Sequence, residues 1–142
     1  MTTIAALILI IIFTFLSGMH IYWAFGGRWA SEGVFPTFEN QSNAVMPGMI
    51  PTLIVAVGLL FFGFMVLMHI TDVTLPFGHE IIYKYGLRVI VVIFIIRSIG
   101  EFQYVGLFKK IKHTKFGLKD TQIYTPLCLT IGILALILEF YK

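Results

Sequence analysis

Charge is the scarcest property of this chain: of 142 residues only 12% are Asp, Glu, Lys or Arg, and just seven are acidic. A soluble domain carries about 25% charged residues, so this deficit excludes a water-solvated surface over most of the molecule. Cysteine is almost missing. The single Cys128 excludes an intrachain disulfide and any metal site built from paired cysteines, and within an apolar run it reads as a small packing residue. Internal repeats and low-complexity segments are absent. So is alternation of apolar and polar residues, since Ala5 to Phe13 is apolar throughout, which excludes the strands of a membrane barrel.

What is there is apolar: 58% of the residues are hydrophobic and the mean hydropathy is +0.94. Four stretches, Ile4–Trp23, Ile50–Ile70, Leu87–Phe108 and Thr125–Tyr141, approach the roughly 20 residues that cross a hydrocarbon core. The first is read as a retained helix and not a secretion signal, because no Lys or Arg precedes it and no small-x-small cleavage site follows. The fold class expected is all-α, an integral membrane antiparallel four-helix bundle. It is a single membrane domain over residues 1–142, with helices at about 4–25, 50–70, 81–108 and 121–141.

The net charge of +3 matters through its distribution. Lys109, Lys110, Lys112, Lys115 and Lys119 crowd the connection between the third and fourth segments, and Arg28 lies in the connection between the first and second. The other side has Lys84, Arg88 and Lys142. The positive-inside rule therefore places both long connections, including a loop over 26–49, in the cytoplasm and both termini on the non-cytoplasmic side. The lysine cluster lacks the size and aromatic interleaving of a nucleic-acid patch, so it reads as an orientation signal in contact with anionic lipid.

Along the chain, Trp23 and Trp29 suit the lipid–water boundary, and the glycine pair Gly26-Gly27 ends the first helix. The long connection Ala30–Gly48, with Pro36, Pro47 and several apolar residues, is expected to fold back as a roof on the bundle mouth. Pro51 suits a first helical turn, and Gly58 and Gly63 read as close-approach points between helices. In the outer connection His69, Asp72, His79 and Glu80 invite a metal reading. Pro76 and Gly78 break the helical phase that would bring them together, so no metal is assigned.

Arg97 and Glu101 stand out, because ionisable groups inside a membrane span are costly and normally face partners in the protein interior. Their i, i+4 spacing on a helix reaching Phe108 would put them on one face, able to pair, with Tyr104 continuing that face. Gly100 and Gly106 would flank it and admit neighbouring helices. Asp120 or Thr121 reads as the N-cap of the last helix, with Tyr124 one turn on. Alternating crossings bring His20, Trp23, Arg97, Glu101, Tyr104, Asp120 and Tyr124 to the cytoplasmic end.

Two readings of that cluster stay open. In one it is a pocket that binds or transforms a small polar molecule or a lipid headgroup, with His20 and Glu101 as candidate acid/base groups and Arg97, Trp23, Tyr104, Asp120 and Tyr124 as ligand contacts. In the other the charges are a structural lock in a non-enzymatic accessory or assembly protein that docks a membrane partner. The residues name no cofactor. Besides the lipid bilayer, a small-molecule or lipid ligand and a membrane-protein partner fit this pattern, and nucleic acid does not.

Three ordered motifs carry a resemblance: His20-x-Tyr22-Trp23-Ala-x-Gly26-Gly27-x-Trp29, then Arg97-x-x-Gly100-acid-Phe-x-Tyr-Val-Gly106-Leu-Phe108, then Phe116-x-x-x-Asp120-Thr-x-x-Tyr124-x-Pro126-Leu-Cys-Leu. With them the chain resembles, over nearly its whole length, the bacterial family catalogued as domain of unknown function 3995. The sequence departs from that family at Ala30, where Gly is common, and at Glu101, where Asp is usual. The resemblance implies a small multi-pass protein of the bacterial inner (plasma) membrane, with the motif residues at its centre. It implies no reaction.

Overall fold

The computed structural model describes residues 2–30, 47–71 and 76–141, without the side chain of His79. Of the expected roof over Ala30–Gly48, residues 31–46 lie outside the described residues, as does the outer-loop Asp72. Every regular element among the described residues is helical: α1 (Thr2–Ala24), α2 (Met49–Ile70), α3 (His79–Ile99), α4 (Lys115–Lys119), a π-helical turn (Asp120–Tyr124) and α5 (Thr125–Phe140). The last three run on as one rod, Lys115–Phe140. Among the described residues that rod, α1 and α2 are the three helices long and apolar enough to cross a membrane.

Each helix buries one stripe and turns the rest of its apolar surface outward. On α1 the stripe is Ala6, Leu9, Phe13 and Ser17, on α2 Thr52, Ala56, Leu59, Gly63 and Val66, and on α3 Leu87, Ile90, Phe94 and Ser98, all at the three- and four-residue steps of a helix face. Ile4, Ile11, Phe15, Ile54, Val57, Ile81 and Phe140 are exposed. Two exposed hydroxyls on these helices are satisfied locally: Thr14 donates to the Ile10 carbonyl and Thr130 to that of Pro126, both at 2.8 Å. That arrangement suits an environment without water to bond them.

α1 lies against α2 and α5, and α3 against α5 and α2. Neighbours run antiparallel. The Ser17 hydroxyl donates across to the Ala56 carbonyl at 2.8 Å, while a side chain at Gly63 would begin 3.5 Å from Phe13 Cβ. Likewise His69 stacks on Tyr83 at 5.2 Å whereas Phe62 meets Phe94 at 6.1 Å. Phe13, Phe62 and Phe94 form a mutual ring triad, the other two separations being 5.8 and 5.6 Å, and this triad ties α1, α2 and α3 at mid-height.

Two boundaries differ from the sequence reading. α3 ends at Ile99, not near Phe108. Gly100 takes φ +82, where a Cβ would run into the carbonyl of Val105, and Gly106 takes φ +93, where a Cβ would run into the carbonyl of Ile99. The two glycines therefore close a loop on each other instead of admitting a neighbouring helix. Leu107 N–H donates back to the Ser98 carbonyl at 2.9 Å, and Ile111 N–H to that of Gln103 at 3.0 Å. The last helix starts at Lys115, six residues before the expected 121, because Thr114 caps it: its hydroxyl accepts from Gly117 N–H at 2.9 Å. Asp120 is thereby released from capping.

Gly100→Ala meets backbone and a left-handed φ together and is expected to destabilise the fold by about 3 kcal/mol. At Gly132 an added Cβ meets the Ile95 side chain, Cδ1 at 2.9 Å and Cγ1 at 3.1 Å, with the Ile95 backbone N at an ordinary 3.7 Å, so a side chain and not the backbone has to give way. Gly132→Ala is expected to stay within about 1 kcal/mol of the parent. Denaturant unfolding of the purified protein in detergent measures both.

Candidate functional site

Asp120 is the centre of the polar cluster. Its side chain has 0% exposure, so its carboxylate is stable there only with charge and hydrogen bonds around it. Four donors converge on it. Arg97 Nη2 donates to Oδ1 at 3.0 Å. Lys109 Nζ at 2.8 Å, Gly106 N–H at 2.9 Å and Thr125 Oγ1 at 3.0 Å donate to Oδ2.

Each donor is placed by a local feature of the chain. Arg97 is in the last turn of α3. Gly106 N–H is turned inward by the glycine loop, whose carbonyl at Gly106 also receives Lys109 Nζ at 3.3 Å. Thr125 is five residues after Asp120, about 140° away around an ordinary α-helix. The π-helical turn brings the two together, with Thr125 N–H donating to the Asp120 carbonyl. Pro126 follows at once, and a proline has no N–H for the carbonyl four residues back and clashes with it, which favours a widened turn there.

The structure gathers the sequence candidates unevenly. Arg97 and Asp120 form an ion pair, with Tyr124 one turn beyond, its ring stacked on Phe116 at 6.3 Å. The Arg97–Glu101 pair expected from helical spacing does not form. α3 stops before Glu101, which is exposed and joins no hydrogen bond or ion pair among the described residues. His20 also stands apart from the carboxylate: its Nδ1–H donates to the Leu16 carbonyl at 2.7 Å and its ring meets Trp23 edge-on at 5.2 Å. Trp23 is buried and its indole N–H donates to the Trp29 carbonyl at 2.9 Å, fastening the turn after α1. Tyr104 is half-buried in the loop.

Lys109, Thr125 and Gly106 were missed as members of the cluster. Lys109 has a side chain only 1% exposed, although in sequence it reads as one of five clustered lysines. The available signal was Asp120 itself, the one acid between Glu101 and Glu139, which needs cations from nearby. A further ion pair, Arg88 to Glu139 at 2.6 Å, fastens the middle of α3 to the end of α5.

Thr125→Val keeps the shape and removes one donor from the buried carboxylate, for an expected loss of about 1.5–3 kcal/mol. Thr121→Val, whose hydroxyl serves only the Gly117 carbonyl at 3.0 Å, is expected to lose no more than about 1 kcal/mol. Paired thermal unfolding curves in one detergent make the comparison.

No curated protein and no solved structure matches this chain. The sequence profile of the proteins of unknown function DUF3995 matches residues 13–135, a span that contains every member of the Asp120 cluster, and the chain belongs to that family.

Proposed function

We propose that this chain is a non-enzymatic accessory or assembly protein of a bacterial inner membrane. It is an antiparallel four-helix bundle with both termini on the non-cytoplasmic side, and its polar cluster is a structural lock. α3 is the fourth crossing, with Lys84 and Arg88 toward the outer end and Arg97 toward the basic, cytoplasmic end. One observation carries the reading: the acid at the heart of the cluster is sealed from solvent and occupied by four donors of the chain itself. Three of the donors converge on Oδ2 and one on Oδ1, so the carboxylate is held by the chain itself and sealed from solvent with all its partners inside the fold. The two acid/base candidates, His20 and Glu101, are not bonded to it.

A second reading rests on Arg97. Two cations face one carboxylate, leaving the cluster one positive charge in excess, and Arg97 Nη1 is buried without a hydrogen-bond partner among the described residues. A small polar or anionic ligand held by that nitrogen accounts for both facts.

Variants separate the readings. Asp120→Asn leaves Lys109 and Arg97 facing a neutral amide, and removing one partner of a buried pair costs about 3–5 kcal/mol. The lock therefore predicts a large drop in protein recovered from membranes, while His20→Ala and Glu101→Gln keep normal abundance and normal cellular activity. Normal abundance of Arg97→Gln together with loss of the deletion-complementing activity would refute the lock and favour the ligand.

A further inference from the structure

A cavity of about 830 Å³ opens between the turn after α1 and the first turns of the Lys115–Phe140 rod. It is separate from the Asp120 cluster, whose carboxylate is sealed. Its lining carries three cations, Arg28, Lys115 and Lys119, and among the described residues no Asp or Glu. Beside the cations stand the Trp29 indole and the apolar side chains of Leu118 and Ile123. The Lys119 side chain is exposed and makes no hydrogen bond or ion pair among the described residues. The volume falls in the range of about 300–1,000 Å³ that takes a whole small molecule and not a single ion.

These features coincide at one level of the molecule. α1 has just ended and the apolar rod is just beginning, so in a crossing bundle the cavity stands at headgroup depth on the basic side. Cations here face an anionic surface, and tryptophan and aliphatic side chains face the start of acyl chains. We propose that this cavity binds an anionic phospholipid, its phosphate held by Lys119 with Arg28 and Lys115, and its glycerol and upper acyl segments against Trp29, Leu118 and Ile123. The proposal rests on the membrane-bundle reading above but not on the lock.

The test uses the full chain in phosphatidylcholine nanodiscs with increasing fractions of brominated phosphatidylglycerol, read by quenching of tryptophan fluorescence. Exposed Trp29 is expected to be quenched with saturation. Lys119→Gln is expected to raise the lipid fraction at half-quenching about fivefold, Lys119→Arg to restore it, and Lys110→Gln, an exposed lysine outside the cavity, to leave it unchanged. Equal shifts from Lys119→Gln and Lys110→Gln would mean diffuse surface charge and overturn the site. Reversal of quenching by inorganic phosphate would overturn the lipid as its occupant. Partition of each variant into membranes is scored beforehand, so failure of the bundle reading shows as a chain that does not insert, and failure of the site as an inserted chain without saturable quenching.

Discussion

A carboxylate that water does not reach must be neutralised by the chain that buries it, and Asp120 imposes that demand here. The cost of an unpaired buried charge is many times that of a lost surface contact. Three otherwise separate pieces are therefore bound together at one point: the end of α3 through Arg97, the glycine loop through Gly106 and Lys109, and the start of α5 through Thr125. Two irregularities of the backbone serve that convergence. The glycines at 100 and 106 allow the reversal that turns Gly106 N–H inward, and the π-helical turn swings the Thr125 hydroxyl under Asp120.

The same demand explains how a helix as charged as α3 sits among apolar neighbours. Its two arginines are nine residues apart, about 13.5 Å along the axis, and each finds an acid on the rod that ends in α5. Between those two fastenings the α3–α5 contact is close, with Gly132 under Ile95. α1 and α2 carry no comparable charge, and their pairing relies on ring and aliphatic packing with one hydroxyl crossing from Ser17 to Ala56. A lipid environment gives apolar packing no advantage over lipid tails, so the polar fastenings specify which faces of α3 and α5 meet.

Much of this was legible in the residues. Long unbroken apolar runs mark α1, α2 and α5, and the Gly26-Gly27 pair marks the end of α1. Arg97 reads from the sequence as a charge in need of a partner, and Asp120 as a cap of the last helix or a ligand contact. Their pairing with each other was hidden by hydropathy, because Phe102, Tyr104, Val105, Leu107 and Phe108 keep the segment apolar well past the point where Gly100 stops the helix. An apolar loop and an apolar helix look alike to composition, and the i, i+4 rule assumes a continuity that Gly100 removes. Lys109 was concealed by its neighbours, since burial of one lysine among five is decided by the loop's fold. Ala30 likewise adopts φ +61, a left-handed conformation that glycine would take without strain and that its residue type does not announce.

The central claim is that Asp120 and Lys109 hold each other, and a double-mutant cycle of Asp120→Asn and Lys109→Met measures that directly by equilibrium unfolding in detergent. A shared lock predicts a coupling energy of about 2–3 kcal/mol, with the double variant markedly more stable than the sum of the single losses allows. Losses that add within about 0.5 kcal/mol would contradict it, because two groups that do not depend on each other are not a lock.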